Sequence, residues 1–157
     1  MATAAKDRNA AEYLRDAEGQ GVLAELLDLE IVTPERQLVH EQASDVQLPG
    51  KDGYLGILPG HAALLGQLGA GALSYTAAGQ SHYLAVDGGF VEILEDHVRV
   101  LADSAEKAED IDVARARADL QKAQEQLAHT AADVDPAIAL AAVNKAQARI
   151  NAAEHKS

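Results

Sequence analysis

The sequence changes character near residue 103, and this change limits the chain to a fold with two unlike parts. From about Leu26 to Ala102 it is rich in Val, Ile, Leu and Tyr, in short runs that Gly, Pro and Asp interrupt. Apolar and polar residues alternate in stretches such as "LLDLEIV" and "SHYLAV", which is typical of short β-strands joined by turns. From Asp103 onward the chain is rich in alanine and charge and contains no glycine, which favours helices.

The predicted fold class is therefore α+β, with β-structure first and helices after it. We expect an N-terminal β-sandwich or flattened barrel over residues 25–103, followed by a C-terminal antiparallel two-helix hairpin over residues 104–157. Turn signals such as "PGKDG", "AGQ", "DGG" and "EDH" separate the predicted strands. A β-domain of roughly eighty residues buries limited apolar surface, so we also expect contacts with a partner.

Two amphipathic helices are predicted in the tail. The first has apolar residues at alternating spacings of three and four, namely Val113, Ala116, Leu120, Ala123 and Leu127. At "DVDP", Asp135 is suited to cap a second helix whose first turn accommodates Pro136. The predicted stripe of that helix consists of Leu140, Val143 and Ile150. Small alanines on the facing sides would allow the two helices to pack closely.

Residues 1–24 form an N-terminal extension whose composition differs from that of the two parts described above. They are alanine-rich and charged, show weak helical spacing at Tyr13, Leu14 and Ala17, and end at "EGQG", where glycines break a helix. We interpret this extension as disordered or a frayed helix, with a functional arm as the alternative.

Composition excludes several classes of function. The net charge of -12 repels phosphate backbones and anionic membrane surfaces, which argues against a general nucleic-acid binder. The chain has no cysteine, so disulfides, thiolate nucleophiles and cysteine metal sites are all excluded. No apolar run approaches the roughly 20 residues that span a bilayer. Basic and acidic residues balance in residues 111–157, so the acidic excess lies in residues 1–110.

The stretch "GILPGHAALL" places His61 in an apolar run between glycines, a position that raises the question of catalysis. The sequence nevertheless contains no Gly-x-Ser-x-Gly, His-Glu-x-x-His or His-x-His pattern. The glycines of "GQLGAG" have the wrong order for a dinucleotide fingerprint and lack the Lys-Ser/Thr ending of a phosphate loop. We therefore predict no catalytic residue and no metal site.

The segment "IDVARA" has two interpretations. Asp112 and Arg115 are three residues apart at the start of a predicted helix. In the first interpretation, the Asp112 carboxylate interacts with the helix dipole and forms a local ion pair that stabilises the helix by about 0.3 kcal/mol. Alternatively, these residues form a polar site with Lys145 and Arg149, which lie four apart on one face of the second helix. Such converging cations could hold a phosphorylated ligand between the helices.

Taken together, "GILPGHAALL", "LAVDGGFVEI", "VRVLADSAE" and "IDVARARA" resemble the epsilon subunits of bacterial F-type ATP synthases, from about Leu26 to the C-terminus. The resemblance implies a β-sandwich and a helical hairpin, as the periodicities do. It also implies a non-catalytic rotor-stalk subunit that binds the gamma subunit and the c-ring and couples proton flow to rotation. Such a subunit is peripheral, at the cytoplasmic face of the bacterial plasma membrane. His61 would then belong to a corner or contact surface of the sandwich.

The resemblance further implies that the hairpin is a switch. Folded on the sandwich it permits turnover, whereas extended along gamma into the alpha/beta hexamer it blocks ATP hydrolysis. In relatives that bind ATP on the hairpin, the positions that contribute match Glu106, Ile111, Asp112, Arg115, Ala116, Lys145 and Arg149. Lys145 stands where those relatives have arginine, so it keeps the charge but loses the bidentate fork. No cofactor is required, and regulatory ATP is the candidate ligand.

The ring-facing contact of such subunits lies on a hairpin tip that matches "GKDGYLGI" here, which points to Lys51, Asp52 and Tyr54. A solvated turn would look the same in sequence. Two other functions remain open: a free-standing nucleotide-sensing module without a stalk partner, and a carbohydrate-binding β-sandwich. The second normally needs exposed aromatic platforms, whereas this chain is 3% aromatic and has no tryptophan.

Overall fold

The computed structural model describes Tyr13–Arg15, Gly21–Leu23, residues 25–129 and residues 135–155. The strands in these ranges are β1 (Tyr13–Arg15), β2 (Gly21–Leu23), β3 (Leu27–Val32), β4 (Gln37–Ala43), β5 (Asp45–Gly50), β6 (Gly53–Ile57), β7 (Leu64–Gln67), β8 (Ala70–Ala77), β9 (Gln80–Leu94) and β10 (His97–Lys107). A short 3-10 turn at Ala108–Asp110 leads to helices α1 (Val113–Ala128) and α2 (Pro136–Ala153). Neither helix combines the length and apolar character needed to cross a membrane.

Strands β3 to β10 form one sheet that folds over on itself. Its order is β4-β3-β10-β9-β8-β5-β6, and β7 also pairs with β9. Strands β3 and β10 run parallel, while the other pairs in this sheet are antiparallel. Strand β4 leads into β5 through Ser44, whose backbone N–H donates to the carbonyl of Thr76 in β8 at 2.9 Å. The chain thus passes within a few residues from the edge strand β4 to β5, which lies next to the opposite edge strand, β6.

The long strand β9 turns the sheet from one layer to the other at Gly88 and Gly89. These glycines have φ angles of 68° and 110°, in the region that side chains disfavour. The residues of β9 that enter the core are Leu84, Val86, Val91 and Ile93. Their parity changes across the two glycines, so the bend presents opposite faces of the strand to one shared core.

The core of the sandwich consists of the alternating apolar residues that the sequence pattern predicts. In β3 the alternation is strict, with every second residue buried. The largest fully buried side chains are Leu27, Leu29, Ile31, Leu48, Ile57, Leu73, Leu84 and Ile93. A β-sandwich followed by two helices confirms the predicted fold class.

Helix α1 buries the predicted stripe and α2 begins as predicted. Ala116 and Ala123 are buried, and the other apolar residues of the α1 stripe are partly buried. The Asp135 carboxylate accepts a hydrogen bond from the backbone N–H of Ala137 at 2.9 Å, which satisfies one of the free amides at the start of α2. Pro136 occupies the first turn.

The predicted stripe of α2 is wrong at Leu140, whose side chain is about half exposed. Of the other two residues, Val143 is partly buried and Ile150 is buried. The residues that are buried along α2, besides Ile150, are Ala139, Ala146, Ala148, Ala152 and Ala153. This helix packs against α1 on one side and against β8 and β9 on another, and alanine allows close approach on both sides. The sequence pattern emphasised the larger side chains and so missed this arrangement.

A small second cluster joins the hairpin to the sheet. This docking cluster consists of Ala85 in β9, Ile111, Ala152 and Ala153, with Ala72 and Val113 partly buried at its margin. Alanine contributes a single methyl group, and apolar burial stabilises by about 25 cal/mol per Å². The hairpin is therefore held on the sheet by much less apolar contact than holds the sandwich together.

The sheet extends beyond the predicted boundary at residue 103. Ser104, Ala105, Glu106 and Lys107 continue β10 and pair with the first half of β9. This segment lacks the apolar alternation of the earlier strands, so only its pairing identifies it as a strand. At the other end, β1 and β2 pair antiparallel, which differs from the predicted frayed helix. The remaining residues of that extension lie outside the described ranges.

The close approach of β9 and β10 at Gly89 gives a test of the bend. A Cβ atom on Gly89 would lie 2.0 Å from the carbonyl oxygen of Leu101, and φ there is 110°. We expect Gly89→Ala to lower the free energy of unfolding by more than about 3 kcal/mol, because both the clash and the backbone conformation oppose a side chain. Gly56→Ala is the matched control, since a Cβ there meets open space. Urea unfolding of both variants measures the difference, and equal losses would contradict this account of the bend.

Candidate functional site

Arg149 of α2 lies at the centre of the polar contacts between the hairpin and the sheet. Its Nε donates to the Glu106 carboxylate on β10 at 2.9 Å, and its Nη1 approaches the Asp119 carboxylate on α1 at 3.5 Å. The Arg149 side chain is only 18% exposed. One guanidinium therefore connects three elements, and it brings together two of the residues predicted from sequence, Glu106 and Arg149.

Asp112 and Arg115 meet through the backbone. The Asp112 carboxylate accepts a hydrogen bond from the backbone N–H of Arg115 at 3.1 Å and so caps α1. Arg115 is exposed and, within the described ranges, has no ion-pair partner. Ile111 and Ala116 are buried packing residues. Helix capping thus accounts for the Asp112 contact, while the guanidinium of Arg115 remains available.

Two neighbouring clefts share Lys145 and Arg149. The sheet cleft, between α2 and strands β9 and β10, has a volume of about 290 Å³, and its lining includes Ala85, Asp87, Ser104, Glu106, Lys145 and Arg149. The helix cleft, between α1 and α2, has a volume of about 300 Å³, and its lining includes Asp119, Lys122, Gln126, Ala142, Lys145 and Arg149. The two cations of α2 therefore lie on the boundary between a cleft facing the sheet and a cleft facing α1.

A ring stack fastens the end of α2 to the sheet. The ring centroids of His155 and of Tyr83 in β9 lie 4.2 Å apart, with 11° between the ring planes. This contact adjoins the docking cluster, in which Ala152 and Ala153 are the nearest residues of α2. The docked hairpin thus has an ionic contact at Arg149 and an aromatic contact at His155.

Lys51, Asp52 and Tyr54 lie on a separate surface, at the turn between β5 and β6. The side chains of Lys51 and Asp52 are exposed. Tyr54 is also exposed, at 63%, but its hydroxyl accepts a hydrogen bond from the backbone N–H of Ala72 at 3.2 Å. That bond orients the ring over the neighbouring strand. The three residues share one exposed tip.

His61 lies in a turn whose contacts are mostly with backbone groups. Its backbone N–H donates to the carbonyl of Leu58 at 3.1 Å, and its Nδ1 donates to the carbonyl of Ala62 at 2.8 Å. The same turn is tied to the β9–β10 turn, because the Gly60 N–H donates to the Asp96 carboxylate at 2.7 Å. These contacts give His61 an architectural role.

The outer face of β3, β4 and β10 carries a polar network that the sequence did not reveal. The Asp28 carboxylate accepts hydrogen bonds from His40 at 3.1 Å, His97 at 3.0 Å and Gln42 at 3.0 Å. Within the described ranges, no group of His, Asp or Glu residues has a geometry that could hold a metal ion. The partners come from β4 and β10 and lie 12, 14 and 69 residues from Asp28 in sequence, so no local spacing predicts them.

Tyr75 is the titratable side chain that burial affects most among those described. Burial raises the pKa of its phenol well above the ordinary value, and the neighbouring Glu41 carboxylate adds to the effect. Tyr75 therefore remains protonated at physiological pH and contributes to the core.

Comparison with known families identifies both parts of this arrangement. The β-sandwich domain model of the ATP synthase delta/epsilon chain matches residues 26–108, and the long α-helix domain model of the same chain matches residues 109–154. The chain belongs to the ATP synthase delta/epsilon family. The resemblance seen in the sequence is thereby confirmed.

Curated relatives agree with this family, and a solved structure shares the fold. The ATP synthase epsilon chain of Solibacter usitatus is 54% identical over 134 residues, which cover 85% of this chain and 100% of that one. The epsilon chain of Koribacter versatilis is 49% identical over 105 residues, covering 67% of this chain and 74% of that one. A chain of the Euglena gracilis mitochondrial ATP synthase shares the fold with a TM-score of 0.74 at 21% identity, covering 90% of this chain and 89% of that one.

The contribution of the ring stack to docking can be measured directly. We expect Tyr83→Ala to raise the ratio of undocked to docked hairpin by about two- to tenfold, because an aromatic pair contributes roughly 0.5–1.5 kcal/mol. Tyr83→Phe keeps the ring and should leave the ratio unchanged. The chain has no cysteine, so spin labels on Gln80→Cys and Gln124→Cys report the distance between sheet and hairpin without interference.

His129→Ala is the control for the Tyr83 experiment, because it removes an exposed imidazole at the far end of α1. It should leave the distance distribution unchanged. An unchanged distribution in Tyr83→Ala would mean that the stack does not hold the hairpin.

Proposed function

We propose that the chain is a non-catalytic central-stalk subunit that binds the gamma subunit and the c-ring of a proton-translocating ATP synthase. It couples proton flow to rotation at the cytoplasmic face of the bacterial plasma membrane, and its helices inhibit ATP hydrolysis when they leave the sandwich. The observation that carries this proposal is the match of both family domains in series over residues 26–154. A free-standing nucleotide sensor would not need the surfaces described next.

An exposed apolar patch on the outer face of the sandwich is the surface that we assign to gamma. Phe90 of β9 and Leu101 of β10 lie opposite each other and are 52% and 47% exposed. Leu65 of β7 is opposite Glu92, which places it diagonal to Phe90, and it is 72% exposed. Apolar patches of this kind mark contact surfaces in soluble proteins. A large partner such as gamma would remove these side chains from water.

The turn between β5 and β6 is the surface that we assign to the c-ring. Lys51 and Asp52 offer one charge of each sign at an exposed tip, and the bond from Ala72 holds the Tyr54 ring beside them. A similar chain occurs in a solved structure described as the central stalk and c-ring of the Tetrahymena thermophila mitochondrial ATP synthase, which has a TM-score of 0.55, 16% identity and coverage of 80% of this chain and 92% of that one. At this identity the likeness concerns the fold alone.

The weak docking of the hairpin supports its role as a mobile inhibitor. The apolar contact between the hairpin and the sheet comes mostly from alanines. The other contacts are the ion pair of Arg149 with Glu106 and the ring stack of His155 on Tyr83. The separate core of the sandwich would stay intact after release. The released helices carry Arg and Lys side chains, which suit acidic surfaces of the alpha/beta hexamer.

Regulatory ATP is the ligand that we propose for the docked hairpin. Lys145 and Arg149 face two clefts between α2 and its neighbours. Arg115, on the adjoining helix, lines neither of these clefts and has no ion-pair partner in the part of the chain that the structure describes. Cations that converge on a cleft are suited to phosphate oxygens. A ligand that binds only the docked state stabilises it by RT ln(1 + [ATP]/Kd), which is about 2.7 kcal/mol at a hundredfold excess. ATP would thereby hold the inhibitory helices on the sandwich.

Removal of the hairpin tests the two-part function. We expect a chain that ends at Asp110 to keep a folded sandwich and to bind gamma, because the core cluster contains no residue beyond Ala105. The same truncation should increase ATP hydrolysis by the assembled enzyme, since the inhibitory helices are gone. Circular dichroism, co-purification with gamma and a hydrolysis assay are the three measurements.

Each result of the truncation addresses one part of the proposal. An unfolded chain, or one that does not co-purify with gamma, would contradict the independent sandwich. Hydrolysis equal to that with the full chain would contradict an inhibitory hairpin and leave it as a passive support.

Calorimetric titration of the full chain tests the ATP proposal. We expect weak binding that Lys145→Arg tightens about fivefold, because arginine restores a bidentate contact with a phosphate. Lys51→Arg makes the same chemical change at the distant β5–β6 turn and should have no effect. Absence of ATP binding in every variant would reduce "IDVARA" to a helix cap without affecting the stalk assignment.

A further inference from the structure

A groove on the outer face of the sheet is not part of the surfaces assigned above. This strand groove crosses β5, β6, β8 and β9 and has a volume of about 490 Å³, larger than either cleft at Arg149. Its lining includes Asp45, Gln47, Gly56, Ser74, Thr76 and Tyr83. In β5, Gln47 is exposed between the core residues Val46 and Leu48, which places the groove on the side away from the core.

The strand groove lies on the same face of the sheet as the docked hairpin. Ser74 of β8 is opposite Tyr83 of β9, and Ala72 is opposite Ala85 in the same pair of strands. Alternate residues of a strand lie on one face, so these four residues share the outer face. Tyr83 both lines the groove and stacks on His155. The end of α2 therefore borders the groove.

The chain enters the sandwich next to this groove. Leu27, the first residue of β3, is opposite Ala43 at the end of β4. The next residue, Ser44, donates from its backbone N–H to the carbonyl of Thr76 at 2.9 Å. The hydroxyl of Thr76 in turn donates to the carboxylate of Asp45 at 3.3 Å. Because β3 and β4 are antiparallel, the residues before Leu27 lead towards this end of the groove.

The N-terminal extension has the length and the charge to occupy the groove. It lies outside both matched family domains, which begin at residue 26. A chain extends by about 3.3 Å per residue, so residues 1–24 can span four strands spaced about 4.8 Å apart. The extension carries three basic and four acidic residues, so it is almost neutral and the acidic sandwich does not repel it strongly.

The β1–β2 ribbon within the extension needs a surface to pack on. Its two strands have three residues each and form a two-stranded sheet of their own. Tyr13 is opposite Leu23, and Leu14 is opposite Val22. Successive positions of a strand lie on opposite faces, so the sequence assigns an apolar pair to each face of the ribbon. An isolated two-stranded ribbon is marginally stable in water, and packing on a larger sheet stabilises it.

We propose that the N-terminal extension packs in the strand groove through the β1–β2 ribbon. The occupant is a segment of the same chain, which its connection to β3 brings to the groove. In this position the extension also lies against the end of α2, because Tyr83 belongs to both the groove and the ring stack. The inference does not depend on the proposed ATP site or on the stalk assignment.

Distance measurements between two spin labels on the full chain test this inference. The chain has no cysteine, so labels on Ala11→Cys in the extension and Glu35→Cys in the β3–β4 turn report their separation without interference. We expect one narrow distance distribution, because a packed extension has a fixed position. Gly56→Trp fills the groove and should abolish the narrow population. A Cβ at Gly56 meets nothing within 4 Å and its φ angle is not positive, so the sandwich should accept this change.

Leu94→Trp is the matched control for the groove variant. Leu94 is 52% exposed on the second half of β9 and does not line the groove. The same large side chain at this position should therefore leave the distribution narrow. Circular dichroism of both variants checks that the sandwich is intact.

Each other outcome would overturn the inference. A broad distribution in the unaltered chain would mean that the extension has no fixed position. A narrow distribution that persists in Gly56→Trp would place the extension elsewhere on the molecule. Equal broadening in Leu94→Trp would mean that the groove is not the cause. The same distance in a mixture of singly labelled chains would show that the groove holds the extension of a second copy.

Discussion

The contact between Gly89 and the backbone of β10 is the constraint on which the rest of the structure depends. Only a residue without a side chain allows β9 to pass so close to Leu101 while adopting a positive φ angle. The bend lets one strand contribute to both layers, so a single sheet can enclose its own core. It also separates the outer surfaces: the first half of β9 bears Tyr83 and Ala85, which meet the hairpin, while the second half bears Phe90.

The choice of alanine at the hairpin contacts has two consequences that oppose each other. Small side chains let α2 approach both α1 and the sheet, which brings Lys145 and Arg149 up to two clefts at once. The same small side chains bury little apolar area, so the docked state gains little from the hydrophobic effect. Polar and aromatic contacts at Arg149 and His155 therefore matter for docking as well as apolar burial. A ligand or partner of modest affinity can shift such a balance.

The sequence predicted those features that depend on local pattern. Strand alternation, the capping role of Asp135 and the α1 stripe all follow from spacing along the chain, and each is present in the structure. The burial of Leu140 was predicted wrongly, because a helix that packs on two sides does not have a single apolar stripe. The contact between Arg149 and Glu106 could be anticipated only through the family resemblance. Side-chain contacts across strands, such as those of Asp28 with His40 and His97, leave no trace in local spacing.

The parallel pairing of β3 with β10 bears on how the protein resists mechanical force. Strand β10 lies between β3 and β9 and continues, through the turn at Ala108–Asp110, into the helices. Tension applied through α1 would therefore pull β10 along its own axis, between two neighbours that both hold it. The hydrogen bonds on both sides share such a shearing load, whereas an edge strand peeled sideways loses them one at a time. Traction on the helices would consequently detach them from the sheet well before it could extract β10.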